Sequence, residues 1–132
     1  MIGYVMIGTN DLDQAARFYD VLLDPLGLVQ VARVETYAAY APKAAKIEFY
    51  ITTPFDQGPA TPGNGTMVAL AAPTMQALEQ FHRLGLQNGG SDEGAPGPRE
   101  EGSAICYAYI HDADGNKICA FYDGAKGQAA DE

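Results

Sequence analysis

The apolar positions switch twice between a strand-like pattern and a helical period, and each switch marks an element. Ile2 to Ile7 is apolar and rich in strand formers, and it ends at Gly8, Thr9 and Asn10, residues suited to a turn and a helix cap. Leu12, Ala15, Ala16, Tyr19, Leu22 and Leu23 then recur at helical spacing. Asn10 is the expected N-cap, Asp11 and Asp13 favour the helix dipole, and Pro25 and Gly27 stop the helix. Three short strands are predicted next: Leu28–Val34, Thr36–Ala41 and Lys46–Thr52. Residues 54–65 are rich enough in Pro and Gly to read as a connector.

The order then restarts. Thr66–Ala72 reads as a buried strand, Pro73 and Thr74 as a cap, and Met75, Leu78, Phe81 and Leu86 as the stripe of a second helix ending at Gly89 and Gly90. Ser91–Ser103 holds Gly94, Pro96, Gly97, Pro98 and Gly102 and reads as a long loop or irregular strand, either surface slack or a flap over a ligand. Ala104–His111 and Lys117–Tyr122 are predicted strands, joined through Asp112-Ala113-Asp114-Gly115-Asn116, where Asp-Gly marks a tight hairpin turn. Aligning the two copies pairs Tyr4 with Met67, 63 residues on, and Glu48 with Cys119, 71 residues on. The second copy is thus longer, and the surplus falls in the Gly/Pro-rich stretch from Asn88 to Gly102. One domain over residues 1–132 is expected, made of module 1–53, linker 54–65, module 66–123 and a frayed tail 124–132.

Composition narrows the partners. With 47% hydrophobic and 19% charged residues, the chain can bury a core. Its formal charge of −9 argues against nucleic-acid or anionic-membrane partners, which need a basic surface. It would favour cationic ligands, if any charge were preferred. Two cysteines are too few for a disulfide scaffold and fit a reducing cytoplasm. Cys106 and Cys119 are about three residues out of register across the last hairpin, so no bridge between them is expected. Met1 to Gly8 carries no basic residue and runs into a helix start, so no targeting segment is expected, and no apolar run approaches a membrane span.

Two strand–helix–three-strand copies with these signatures resemble the glyoxalase, bleomycin-resistance and extradiol-dioxygenase superfamily, also called the vicinal oxygen chelate superfamily. The residues that carry the resemblance are Asp11-Leu12, Arg17-Phe18-Tyr19, Leu26-Gly27 and the turn Asp112-Ala113-Asp114-Gly115-Asn116, in which Ala113 replaces the usual Pro. The resemblance implies an α+β fold in which tandem βαβββ modules form a curved mixed-sheet cleft. It also implies homodimerisation and, in the metal-dependent members, one ligand on the first and last strand of each module. Tyr4, Glu48, Met67 and Cys119 stand at those positions, where the metal enzymes carry His or Gln, Glu, His and Glu. Counting back from Pro54 instead puts Tyr50 in the slot of Glu48, on the same strand face. No metal or other cofactor is therefore expected, with a weak divalent site at Glu48 and Cys119 the remote alternative.

Other chemistry has few carriers. His82 reads as a partly solvated residue on the second helix and His111 as an exposed neighbour of the hairpin turn. Tyr4, Tyr37, Tyr40, Tyr50, Tyr107, Tyr109 and Tyr122 fall in predicted strands, and on a concave sheet several would offer apolar walls with hydroxyl tips. Glu48 in such a cleft would be desolvated into a general base; otherwise it pairs with Lys46 or faces solvent. Cys119 lacks a nearby base and reads as an inert thiol, as does Cys106. Arg99 either clamps an anionic ligand or pairs with Glu100 and Glu101 beside it. The leading expectation is a protein that binds a small organic molecule in a cleft lined by Tyr4, Tyr50, Met67, Tyr107, Tyr109, Cys119 and Arg99. The alternatives are a metal-free lyase or isomerase with Glu48 as base, and a metal-dependent lactoylglutathione lyase or extradiol dioxygenase.

Overall fold

The computed structural model describes residues 1–125. The first module runs β1 (Val5–Gly8), α1 (Leu12–Leu23), a single 3-10 turn (Asp24–Leu26), β2 (Leu28–Arg33), β3 (Tyr37–Pro42) and β4 (Phe49–Thr52). The second runs β5 (Met67–Ala71), α2 (Met75–Gln87), β6 (Ser91–Pro98), β7 (Ile105–His111) and β8 (Lys117–Asp123). Each module makes one four-stranded mixed sheet, in the orders β1-β4-β3-β2 and β5-β8-β7-β6, so the strand before the helix pairs in parallel with the last strand. This is the expected α+β architecture of tandem βαβββ modules. The predicted tail lies outside the described residues apart from positions 124 and 125.

The first helix buries the stripe read from its sequence, whereas of the stripe read for the second only Leu78 and Phe81 are buried, Met75 being partly buried and Leu86 39% exposed. Leu12, Ala15, Ala16, Phe18, Tyr19, Leu22 and Leu23 of α1 are buried, as are Ala77, Leu78, Phe81, His82 and Gly85 of α2. These meet Ala38, Tyr40, Phe49 and Ile51 from the first sheet and Ala108, Ile110, Ile118 and Ala120 from the second in one continuous core. Gly85 marks the closest approach: a Cβ there would lie 2.9 Å from Ile110 Cδ1 and 3.3 Å from Leu22 Cδ1. The helix accepts a residue that costs it about 1 kcal/mol of propensity, and the two modules close against each other there. After α1, Pro25 lies within the 3-10 turn and Gly27 closes it at a φ of 82° that a side chain would resist.

Three local expectations change and a fourth is decided between its alternatives. Asp11, not Asn10, caps α1, accepting from the Gln14 N–H at 3.1 Å, while Asn10 bonds the backbone of Ala60 in both directions at 3.1 and 2.7 Å. The strand expected over Lys46–Thr52 pairs regularly only from Phe49, although Glu48 keeps backbone bonds to Tyr40 and Val5, each 3.0 Å. Thr66–Ala72 is half exposed rather than buried, because the helix covers only one face of its sheet. The stretch read as a long loop or irregular strand from Ser91 is the latter over β6, an edge strand pairing with β7 and interrupted by irregularities between Asp92 and Gly94 and between Gly94 and Gly97. Edge position and bulges are where Pro and Gly are tolerated in a sheet, which is why the composition left loop and irregular strand both open.

Among the described residues no helix is long and apolar enough to cross a membrane. Cys106 and Cys119 are both free thiols, facing Tyr122 and Tyr109 across the β7–β8 pair.

Candidate functional site

Strand alternation gives each sheet a helix-covered face and an open one. On the first sheet Phe49 and Ile51 point into the core, so Glu48, Tyr50 and Thr52 lie on the other side. Tyr50 is the hub of that open face: its ring lies 5.0 Å from that of Tyr4 and 5.4 Å from that of Tyr37, both edge-on. Tyr4 and Met6 stay 56% and 49% exposed. Glu48 is exposed and makes no ion pair with Lys46, so its carboxylate faces solvent on this open side.

On the second sheet Ile110, Ile118 and Ala120 fill the core, and Tyr107, Tyr109, Lys117, Cys119 and Phe121 take the open side. The Tyr107 and Tyr109 rings stand nearly parallel with centroids 6.0 Å apart. Above Tyr109 sit two cations, Lys117 Nζ at 5.2 Å and Arg99 Cζ at 5.9 Å from the ring centroid. They belong to an open cleft of about 860 Å³ floored by Met67, Tyr109 and Lys117 and rimmed by Arg99, His111 and Glu93 and by the connector from Pro62 to Thr66. Met67, Tyr109 and Arg99 are thus gathered in one cleft, Tyr107 shares an adjoining hollow with Arg99, and Cys119 lies buried in the sheet beside Tyr109. Tyr4, Tyr50 and Glu48 group separately on the first sheet, and no aromatic contact joins the two tyrosine groups among the described residues.

Several residues read differently in three dimensions. Arg99 makes no ion pair with Glu100 or Glu101 among the described residues. His82 is buried, not solvated, and its Nε2 lies 2.9 Å from Asp92 Oδ1, because β6 runs past α2 and delivers Asp92 to it. His111 lines the cleft with its Nδ1 2.8 Å from Glu93 Oε1. Lys117 and His111 were overlooked as site residues, yet alternation from Cys119 and Tyr109 places both on the open face. The His82 pair holds the Asp92 carboxyl below its ordinary pKa, with the Gly94 N–H as a second donor. A depressed carboxyl stabilises the fold above its ordinary pKa, and that contribution is lost as pH falls through the lowered folded-state value. Asp92→Asn should therefore lower the thermal midpoint at neutral pH, with the difference from the parent closing as pH falls below the ordinary carboxyl range, as read by melting curves across the acid range.

The residues at the four family ligand positions do not fit a hard divalent ion. Glu48 supplies one carboxylate; Tyr4 is a phenol and Met67 a thioether. Cys119 is fully buried, and burial pushes its thiol up to about 11 against the opposing pull of Lys117 and Arg99. Among the described residues no three His, Cys, Asp or Glu side chains converge into a metal-binding group. The raised thiol pKa likewise leaves little thiolate at neutral pH for Cys119 to act as a nucleophile.

Residues 1–120 match the family described as the Glyoxalase/Bleomycin resistance protein/Dioxygenase superfamily. A solved glyoxalase/bleomycin resistance protein from Albidiferax ferrireducens is 41% identical, over 91% of this chain and 96% of its own, with a TM-score of 0.80. A glyoxalase-related enzyme from Fulvimarina pelagi shares the fold at 19% identity, covering 92% of this chain and 87% of its own, with a TM-score of 0.70. So does a glyoxalase I mutant from Zea mays at 18% identity and a TM-score of 0.64, covering 96% of this chain and 47% of its own. No curated protein matches the chain. Because the family match spans both modules and the turn of Asp112 to Asn116, this chain belongs to the glyoxalase/bleomycin resistance protein/dioxygenase superfamily.

Proposed function

We propose that this chain binds a small, flat organic molecule on the tyrosine-bearing open faces of its sheets, without the divalent metal used by metal-dependent members of the superfamily. The observation that carries this reading is the state of the tyrosine hydroxyls. In the core, Tyr19 donates to Asp112 at 2.6 Å and Tyr40 to Asp20 at 2.8 Å. On the open faces, Tyr4, Tyr37, Tyr50, Tyr107 and Tyr109 have no hydrogen-bond partner among the described residues. Rings with unengaged hydroxyl tips suit a ligand that is apolar in its body and polar at its edges.

A homodimer belongs to the same reading. Met6, Val29, Val31 and Met67 are 49%, 43%, 51% and 43% exposed, a density of apolar side chains that a second copy of the chain would cover while narrowing the cleft. Light scattering is expected to give twice the monomer mass.

Screening dicarbonyl–glutathione adducts, catechols and cationic antibiotics by thermal shift is expected to yield a stabilising ligand, since binding to the fold alone raises its melting point. Elemental analysis after exposure to nickel, zinc, manganese and ferrous iron is expected to find metal well below stoichiometry; stoichiometric metal lost in Glu48→Gln would overturn the metal-free reading. The rival reading, a metal-free lyase or isomerase, is favoured by one observation: Glu48 carries no ion pair among the described residues and lies on the same open side as Tyr50. Glu48→Gln separates the two, leaving ligand binding within about twofold under the binding reading and abolishing turnover under the enzymatic one.

A further inference from the structure

We infer that the cleft above Tyr109 takes the anionic end of its ligand, a planar organic carboxylate gripped by Lys117 and Arg99, in a chain whose overall charge points the other way. The inference rests on the reading of the open faces as a small-molecule site and adds the charge and the anchor of the ligand. The whole chain has 8 Lys and Arg against 17 Asp and Glu, yet two of those cations meet over one tyrosine ring. Neither Lys117 nor Arg99 is within ion-pair distance of a carboxylate among the described residues. Glu93, the carboxylate on the same rim, is already turned to His111 at 2.8 Å. The remaining lining of Met67, the Pro62–Thr66 connector and Gly115 brings no negative charge.

Two cations held over one aromatic face, with no carboxylate partner among the described residues, direct like charge into the cleft and repel each other until an anion bridges them. The field of both reaches the sheet, since both act to lower the pKa of the Cys119 thiol beneath them. The guanidinium offers a bidentate fork for a carboxylate and Lys117 a second point of attachment, while the parallel Tyr107 and Tyr109 rings give the ligand's flat body an apolar wall. A net charge of −9 slows the approach of anions from solution, so specificity for them is local, and it weakens as salt screens the two cations.

The test uses 2-naphthoate, with 2-naphthamide as its neutral isostere and 2-naphthylmethylammonium as its cationic one, each titrated into the full chain while Tyr107 and Tyr109 ring signals are followed by NMR. Naphthoate is expected to shift those rings and to bind about tenfold more tightly than the amide, with the cation weakest. Lys117→Gln and Arg99→Gln should each weaken naphthoate by about five- to tenfold and leave the amide unchanged, and Lys117→Arg should restore most of the loss. Equal binding of all three probes at Tyr109 would sink the anion assignment and leave the small-molecule reading standing. Naphthoate binding that ignores both glutamine variants would do the same. If no probe shifts either ring, the anionic anchor and the use of this face for binding fail together.

Discussion

Asp112→Ala is expected to lower stability by roughly 3–5 kcal/mol, because ~1–3 kcal/mol is lost for each buried donor left without an acceptor. Asp112 is buried, and its carboxylate is the acceptor at the centre of the junction between the modules. Its Oδ2 accepts from the Tyr19 hydroxyl at 2.6 Å and from Asn116 Nδ2 at 3.0 Å. Its Oδ1 accepts from the backbone N–H groups of Asp114 at 3.0 Å and Asn116 at 2.8 Å. Tyr19 is on the first module's helix and Asp112 begins the second module's last turn, so this bond crosses the domain. The same turn makes further crossings. Asp114 accepts from the Thr9 hydroxyl at 2.6 Å and the Asn10 N–H at 2.9 Å, and Asn116 donates to the Gly8 carbonyl at 2.9 Å. Burial and the neighbouring Asp112 carboxylate raise the Tyr19 phenol's pKa well above its ordinary value, so it remains a donor at any ordinary pH. Chemical denaturation should show the loss for Asp112→Ala as a fall in midpoint. Tyr19→Phe, which leaves three of the donors to Asp112 in place, should lose only about 1–2 kcal/mol. A loss below ~1 kcal/mol for the alanine variant would mean that water replaces the side chain and that the junction does not depend on it.

That turn shows where the sequence could be read and where it could not. Asp-Gly announces a hairpin from local chemistry alone, and the hairpin is there. Nothing local announces that Asp112, Asp114 and Asn116 reach residues more than ninety positions earlier, because such contacts depend on how the modules pack. The departure at Ala113 is absorbed readily, since Ala113 is exposed while the residues on either side do the bonding. Periodicity located both helices because each has one buried stripe, and it located the regular strands because each has one helix-covered face. It could not decide between loop and irregular strand at β6, because an edge strand broken by bulges has neither the alternation nor the composition of a ladder. The site was legible only in part for a similar reason. Tyr107, Tyr109 and Met67 could be placed on a face by alternation, whereas the convergence of Arg99 and Lys117 on Tyr109 comes from the path of β6 and the chain leaving it.

Phe49→Ala should be the most costly single truncation on the strand that carries the candidate base, at about 3–5 kcal/mol, the range for removing a buried aromatic ring from a packed core. Phe49 is fully buried, with its ring centroid 5.4 Å from that of Tyr19 and 6.3 Å from that of Tyr40. The void left by its ring would open beside the Tyr19–Asp112 bond, so packing and junction would be weakened together. In melting curves the change corresponds to a fall of roughly 10–20 °C for a chain of this size. The neighbours on either side face away from the core. Glu48→Gln and Tyr50→Phe should stay within ~0.5 kcal/mol of the parent, since Glu48 makes no ion pair and the Tyr50 hydroxyl no hydrogen bond among the described residues. This contrast fixes the register: a slip of one residue in β4 would exchange the two faces and make Glu48 or Tyr50 the costly site. It also makes the functional test at Glu48 clean, because a loss of turnover in a variant that melts like the parent can be assigned to the carboxylate itself.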